Sequence, residues 1–397
     1  MEAQALYYDQ YSYDIDDNPY EIWKRLRDEA PVWYNEKYNY WVLSRYDDVL
    51  KASMDWQNFS SAWGTVLELM SENPGDAPLM INNDPPYHDQ LRAVVAQQFT
   101  PASIAKLEND IRDIVLGYLQ PLEGRDSFDF VQDFGRWIPM DVVSHILGIP
   151  HEGRRKINQW ADDSLARDEN GGMTEAGINA MGKAMGYFSE ILEDRKANPC
   201  GDFLSYLTHA EIETEDGKRP FTKDESLFFM VLIASAGNET VARLLSNAGV
   251  LLARHPEQRQ KLRDNPQLIP RAIEEMLRYE PPSPIQFRRL LNDVEMHGVT
   301  MKAGDNVALL TAAATRDDRH WDNPEVFDIE RAPKRHVTFG YGPHTCLGSS
   351  VARLESKIAL EEVLKRIPDW DVETAGLKRT RTSTVRGYSH VPIVIKR

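Results

Sequence analysis

Along most of the chain, apolar residues recur every third or fourth position, which is typical of amphipathic helices. Thr222 followed by Glu225 predicts a capping box at the start of the longest of them. The spacing predicts helices at 19–30, 46–53, 87–98, 101–119, 137–147, 152–167, 174–198, 222–255, 257–264, 269–279 and 347–367.

Strand-like segments are few and short. They are expected at 32–34, at 40–43, in patches between 287 and 306, and in a tail hairpin, 382–395, that turns near Gly387. The irregular segment 57–85 carries several apolar side chains, so we interpret it as a functional loop. The break at 168–172 between two helices predicts a mobile lid. Neither an internal repeat nor a linker interrupts the pattern. We therefore predict one domain, 1–397, mainly α with small β-sheets.

Composition narrows the class of protein. With 46 Lys and Arg against 62 Asp and Glu, the net charge of -16 disfavours binding to nucleic acid or to an anionic membrane. The longest apolar run, 227–233, is too short to span a bilayer, and the N-terminus does not resemble a signal peptide. Two cysteines far apart, Cys200 and Cys346, fit a reducing cytosol. We expect a cytoplasmic protein without a membrane partner.

One of these cysteines lies in an unusual segment, 339–348, between a Gly-rich loop and a predicted helix. The start of that helix offers unpaired N–H groups and positive dipole charge to Cys346, and both favour the metal-binding thiolate. Gly340 allows a tight backbone near a flat cofactor, and Gly348 lets the helix lie close to it. Phe339 can keep water from the sulfur. For a lone cysteine, a buried structural role is the usual alternative.

The pattern Phe-Gly-x-Gly-x-His-x-Cys-x-Gly resembles the haem-binding loop of the cytochrome P-450 superfamily, of the soluble bacterial type. Glu275-x-x-Arg278 resembles a helix motif of the same family. The resemblance adds Arg331 to form a structural triad that holds the coil around the cysteine loop. Ile329 and Ala332 depart mildly from the family pattern, which often has Pro and an aromatic residue there.

A further agreeing segment, 236–240, lies inside the long predicted helix. Gly and Thr weaken or bend a helix, so a kink with exposed polar residues is the alternative interpretation. The segment resembles the family's oxygen-binding motif, with Glu239 in place of the more frequent Asp. The resemblance implies that Thr240 donates a hydrogen bond to dioxygen and that Glu239 relays protons from solvent.

The resemblance implies heme b (iron protoporphyrin IX) as the cofactor, with Cys346 as the axial iron ligand. His88 and Arg92, one helical turn apart, resemble the family's contacts to the haem propionates. The predicted cofactor-binding set is His88, Arg92, Ala236, Arg288, Phe339, Gly340, His344, Cys346 and Gly348.

The positions that the family uses for substrate are mostly apolar here, which predicts a lipophilic small molecule such as a steroid, terpenoid or polyketide. About a third of them are expected to be plain core residues, since apolar side chains are so often buried. The predicted wall consists of Trp63, Val66, Leu67, Met70, Leu232, Ile233, Ile285, Phe287 and Val385.

The implied activity is a haem-thiolate monooxygenase that hydroxylates or epoxidises its substrate. Because the chain lacks a flavin or dinucleotide-binding segment, electrons are expected from a ferredoxin, or a flavodoxin, and its reductase. Four cations, Lys334, Arg335, Arg353 and Lys357, form the predicted docking patch, unless they are scattered solvated charges.

Three other functions remain open. A haem-thiolate peroxygenase would not need the acid–threonine pair, so Glu239 and Thr240 argue against it. A non-catalytic haem-binding sensor would be expected to lack Thr240. Phenol coupling on the same iron chemistry is compatible with the sequence.

Overall fold

The computed structural model describes residues 5–74, 77–165, 174–332, 334–382 and 384–396. Within them the α-helices are α1 (Tyr13–Asp17), α2 (Tyr20–Glu29), α3 (Tyr46–Met54), α4 (Tyr87–Ala96), α5 (Pro101–Ala105), α6 (Glu108–Leu119), α7 (Ile138–Leu147), α8 (His151–Leu165), α9 (Glu175–Ala197), α10 (Phe203–Leu207), α11 (Lys223–Arg254), α12 (Pro256–Asp264), α13 (Ile269–Tyr279), α14 (Thr311–Ala314) and α15 (Ser349–Arg366). The predicted mainly helical architecture is confirmed.

The strands of the same residues are short. They are β1 (Val32–Asn35), β2 (Tyr40–Leu43), β3 (Phe59–Ser60), β4 (Ser127–Asp129), β5 (Glu211–Thr214), β6 (Gly217–Pro220), β7 (Gln286–Leu290), β8 (Val294–Met296), β9 (Val299–Met301), β10 (Asn306–Leu309), β11 (Trp370–Val372), β12 (Lys378–Arg379), β13 (Tyr388–His390) and β14 (Pro392–Ile395).

Most predicted helices are present, with ends that differ by one or two residues. One of them, 101–119, is divided into α5 and α6, because the Lys106 N–H bonds to the Ser103 carbonyl, three residues back, and tightens the chain there. The predicted lid, 168–172, lies outside the described residues.

The central helix α11 begins with the predicted capping box. The Thr222 hydroxyl accepts from the Glu225 N–H at 3.1 Å, and the Glu225 carboxylate accepts from the Thr222 N–H at 2.7 Å. By length and composition alone α11 would qualify as a membrane span, although much of it is buried against other helices. A Cβ at Gly237 would lie 2.8 Å from Val143, so glycine lets α7 approach here.

The largest sheet has the order β1-β2-β10-β7-β3, with β10 parallel to β2 and antiparallel to β7. Neighbouring residues of a strand point to opposite faces. On β7, Phe287 therefore packs edge-to-face on Tyr40, with ring centres 5.2 Å apart, whereas Arg288 points the other way. β7 thereby delivers a cation to the functional site.

The tail differs from the prediction. β13 pairs with the earlier strand β12, and β14 joins β11 and β4 in a separate sheet. The Thr380 N–H bonds to the Gly387 carbonyl, so Gly387 lies next to the start of β13 rather than at the centre of a turn. The observed hairpin of β12 and β13 begins earlier in the chain than the predicted one. The prediction missed this because Val391, Ile393 and Trp370 are buried by tertiary packing of β14 with β11 and β4, which local sequence does not show.

Candidate functional site

The cysteine loop joins the coil after α14 to α15. Gly340 has a φ of +67°, a left-handed conformation that favours glycine, and the Cys346 N–H donates to the Phe339 carbonyl at 2.7 Å. A Cβ at Gly342 would lie 2.7 Å from the Ser53 carbonyl oxygen. These contacts fix the loop against α3 and place the sulfur just before the first turn of α15.

Cys346 is exposed, yet burial raises the pKa of its thiol. A residue that is accessible and yet surrounded by protein atoms lines a hollow inside the protein. The Gly348 N–H, Arg92 and Arg353 lower this pKa, but by less than burial raises it. The predicted thiolate stabilisation by backbone N–H groups is therefore present but too weak by itself. Coordination to a metal ion deprotonates such a thiol.

Four cationic or imidazole side chains converge beside this loop. The rings of His88 on α4 and His344 lie 4.3 Å apart. Burial, together with the positive charges of Arg288, His88 and Arg92, lowers the pKa of His344 to about 2. Burial also lowers the pKa of Arg92. Positive charge is thus concentrated beside the loop on Arg92 and Arg288, with Asp89 and Asp84 as the acids within electrostatic reach.

Arg288 is the most deeply placed of these cations and is 6% exposed. Among the described residues, Arg288 Nη1 donates a hydrogen bond to the carbonyl of the adjacent Phe287 at 2.6 Å. Burial lowers the pKa of Arg288 to about 10, although Asp84 raises it. The Asp84 carboxylate is itself held by Ser60 and by the Ser61 N–H.

The residues present fit a haem. The buried His344 Nε2 has no hydrogen-bond partner among the described residues, and Arg288 has guanidinium donors that are not used there. The propionate carboxylates of a haem would accept hydrogen bonds from both side chains. A Cβ added at Gly348 would meet only open space. On the facing helix Ala236 is exposed, although its neighbours Ala234 and Asn238 are buried. A flat, apolar, doubly anionic group matches these features.

Ala236 belongs to a stripe of accessible residues on α11. Leu232, Ile233 and Thr240 are all partly accessible on this side of the helix. The Thr240 hydroxyl donates to the Ala236 carbonyl at 2.9 Å, as its position in a helix allows. That bond uses the hydroxyl proton that the resemblance assigns to dioxygen, so in this structure the Thr240 oxygen is left as an acceptor.

Glu239 is 7% exposed and forms an ion pair that the resemblance did not imply. Its Oε2 accepts from Arg243 Nη2 at 2.6 Å and from Arg243 Nε at 3.0 Å. We did not select Arg243 from the sequence, although its i,i+4 spacing from an acid was the visible signal.

The predicted triad is assembled. Glu275 accepts from Arg278 at 2.7 and 2.8 Å and from Arg331 at 3.1 and 3.2 Å. It also accepts from the Asp328 N–H at 3.0 Å. The remaining guanidinium donors of the two arginines reach backbone carbonyls between 315 and 326. The cluster therefore ties α13 to the coil that precedes the cysteine loop.

A cavity of about 620 Å³ opens beside this triad. Apolar side chains such as Ile104, Ile273 and Leu354 form much of its wall, and Lys334, Arg353 and Lys357 of the predicted docking patch also line it. Arg353 lies over the Phe339 ring at 4.5 Å, which places this surface next to the cysteine loop. Arg335 of the patch stacks on Tyr341 at 4.0 Å.

The predicted substrate wall is divided between accessible and core positions. Phe287, Ile285 and Val385 are 2%, 4% and 7% exposed, so they belong to the core or contribute only an edge. The other members are partly accessible: Trp63, Val66, Leu67, Met70, Leu232 and Ile233.

Comparisons with known proteins agree with this geometry. Residues 172–375 match the family model described as Cytochrome P450. The putative cytochrome P450 123 of Mycobacterium tuberculosis is 35% identical, over 98% of this chain and 97% of the relative.

Two solved structures are also similar. CYP109E1 from Bacillus megaterium in complex with testosterone has a TM-score of 0.88 and 31% identity, covering 97% of this chain and all (100%) of that one. P450BioI in complex with hexadec-9Z-enoic acid ligated acyl carrier protein has a TM-score of 0.86 and 32% identity, covering 96% and 99%.

Proposed function

The chain belongs to the cytochrome P450 family of haem-dependent monooxygenases, and on that premise we propose that it inserts one oxygen atom of O2 into a lipophilic organic substrate. The balanced reaction is RH + O2 + 2 e⁻ + 2 H⁺ → ROH + H2O. The observation that carries the proposal is an accessible Cys346 at the start of α15, beside the unpartnered His344 Nε2 and a buried Arg288 to which no carboxylate bonds in the described residues. When bound, haem with a thiolate ligand supplies oxygen activation and O–O cleavage.

In this proposal the protein holds the cofactor at two places. Cys346 ligates the iron, while Arg288 and His344, with His88 and Arg92, bind the propionates. Charge-assisted hydrogen bonds of this kind suit carboxylates held away from water. Gly340, Gly348 and Phe339 shape the cysteine side, and Ala236 lies against the opposite side.

The chain's own proton-handling groups would be Thr240 and Glu239. Thr240 Oγ1 already donates to the Ala236 carbonyl, so its oxygen is oriented by the helix and free to accept. Glu239 supplies the carboxyl group that takes up a proton and passes it on. Both lie on α11, which is rigidly packed and therefore suited to hold them in place.

The substrate is proposed to lie against the accessible stripe of α11 and the 57–85 segment. Leu232 and Ile233 on the helix and Val66, Leu67 and Met70 on the segment offer apolar surface. Testosterone is bound by one similar protein and a carrier-linked hexadecenoic acid by another. Both classes are lipophilic, and both are candidates here.

We place the electron donor on the cysteine side, at the cavity beside the triad. Arg353 and Lys357 sit at its edge together with apolar Leu354. In the free protein Arg353 pairs with Glu274, and Lys357 with Glu108 and Glu361. The carboxylates of an acidic ferredoxin would compete with these acids for the two cations. The protein is proposed to act in the cytoplasm, where such donors and their reductases are available.

The decisive experiment is the carbon monoxide difference spectrum of the reduced, haem-loaded protein. Thiolate ligation predicts a Soret band strongly red-shifted from that of histidine-ligated haem. Cys346→Ser should abolish that band, whereas Cys200→Ser, at an exposed position, should leave it unchanged. A wild-type spectrum of the histidine-ligated kind would refute the proposal. Spectral titrations with testosterone and with free hexadec-9Z-enoic acid then distinguish the two substrate classes.

A further inference from the structure

The ion pair between Glu239 and Arg243 is buried on the flank of the accessible stripe. Both side chains are 10% exposed. Residues four apart lie on one helix face, whereas Thr240, next to Glu239 in sequence, lies about 100° around the axis. The pair therefore adjoins Thr240 without competing with it for the same space.

Both bonds from Arg243 end on the same carboxylate oxygen, Oε2. Oε1 is consequently left outside the ion pair. A carboxylate held through one oxygen has a fixed plane and direction, while its other oxygen has no hydrogen bond to the described residues. A bidentate pair would have engaged both oxygens.

Arg243 is itself held by the C-terminal strand β13. Its Nη1 donates to the Tyr388 carbonyl at 2.6 Å, and the Tyr388 N–H donates to Ser246 Oγ at 3.0 Å. A Cβ at Gly387 would lie 2.8 Å from the Arg243 Cβ, so the strand lies flush on the helix. The guanidinium is thus fixed by groups from two elements.

We infer that Arg243 is a positioning residue for proton delivery. It anchors Oε2 of Glu239 so that Oε1 takes a proton from water and returns it toward Thr240, after which the carboxylate is restored. Arg243 does not itself touch the reacting atoms. The inference rests on the proposed function, because it assigns the orientation of the acid that this function requires.

A stability role alone makes a different prediction, since Arg243 also secures β13. Ser246→Ala removes another side-chain anchor of that strand and leaves the ion pair intact, so it is the matched control. Arg243→Met removes both roles of the arginine. Arg243→Lys keeps a cation that can still reach Glu239. Pairing Arg243→Met with Glu239→Gln avoids a buried unpaired carboxylate if the single variant folds poorly.

The test measures hydrogen peroxide released and O2 consumed per NAD(P)H, with a [2Fe–2S] ferredoxin and its reductase, in H2O and in D2O. Haem content and melting temperature are measured in parallel. We expect Arg243→Met to raise the peroxide share about tenfold and to change the solvent isotope effect, because general acid–base groups contribute about 10²- to 10⁴-fold. Arg243→Lys should restore part of the loss.

Ser246→Ala should lower the melting temperature as Arg243→Met does, with wild-type peroxide release. The double variant should match Glu239→Gln alone in peroxide share. If Arg243→Met and Ser246→Ala behave alike in peroxide share and isotope effect, the inference is overturned while the proposed function stands. If the wild type consumes no O2 with these donors, the proposed function fails and the inference fails with it.

Discussion

Two clusters of buried charge lie on either side of the cysteine loop and differ in how completely they are paired. In the Glu275 cluster one carboxylate accepts from Arg278, Arg331 and a backbone N–H. In the cluster around Arg288, the cation's hydrogen bond in the described residues goes to an adjacent carbonyl, and the buried His344 Nε2 is unpartnered.

The difference distinguishes a scaffold from a binding site. Burying a charge is costly unless partners replace the lost water. The Glu275 cluster replaces that water from within the chain, so it stabilises the fold without a ligand. In the Arg288 cluster Asp89 pairs with His88 and Asp84 lies within electrostatic reach, but among the described residues no carboxylate bonds to Arg288 or to His344 Nε2. An anionic ligand would complete these two groups. Substitutions should therefore affect the free energy of unfolding in the first cluster and cofactor affinity in the second.

Glu275→Ala should produce the largest loss of stability. It leaves Arg278 buried at 1% exposure without its carboxylate, which costs about 3–5 kcal/mol of unfolding free energy. Urea unfolding and haem content after purification measure this. Glu330→Ala is the control, because that acid is about half exposed and pairs with Lys261 on the surface, so a loss of about 1 kcal/mol or less is expected. Normal haem content and stability in Glu275→Ala would remove the contrast between the two clusters.

The sequence predicted the helices well because each has a long apolar face, and α11 also has a local capping signal in Thr222 and Glu225. The small sheets were harder to predict. β4 pairs with β14, more than 250 residues away on the chain, so its three residues carry little local signal. The tail hairpin was misplaced for the same reason, since its partners are set by tertiary packing.

At the site, residue types and motif spacing predicted which side chains converge, including His88 with His344 and the Glu275 triad. Which face each side chain takes was not predictable in the same way. Phe287 was expected to face substrate, but strand alternation from Arg288 turns it into the core. The partner of Glu239 was missed because an i,i+4 pair usually lies on a solvated surface, and only tertiary contact with β13 shows that this one is buried.

Arg288→Leu is expected to have a smaller effect on stability, of the opposite sign. Leucine removes a buried cation to which no carboxylate bonds in the described residues, and this gain offsets the packing lost with the shorter side chain. The haem-free protein should therefore become about 1 kcal/mol more stable or stay unchanged. Haem affinity should instead fall about tenfold or more, as for loss of a hydrogen bond to a charged group. Urea unfolding without haem and haem transfer to apomyoglobin measure the two quantities.

Arg289→Leu is the neighbouring control for this experiment. Arg289 points to the other face of β7, where it bonds to Asn306 at 3.1 Å and lies over Trp63. Its loss should leave haem transfer at the wild-type rate. A marked loss of stability in haem-free Arg288→Leu would place Arg288 in the scaffold class and erase the distinction between the clusters.

Thr240→Ala should change stability least, and it extends the comparison to a group that is paired yet accessible. Among the described residues the hydroxyl bonds only to the Ala236 carbonyl of its own helix, and alanine favours helix more than threonine does. The unfolding free energy should therefore move by about 0.5 kcal/mol or less. Product formed per NAD(P)H should nevertheless fall, with more hydrogen peroxide released, because the hollow loses its oriented oxygen. Thr240→Ser keeps that oxygen and should retain much of the coupling. If Thr240→Ala forms as much product per NAD(P)H as the wild type, exposure on the accessible side of α11 does not identify a functional group. Proton delivery would then need another donor on α11.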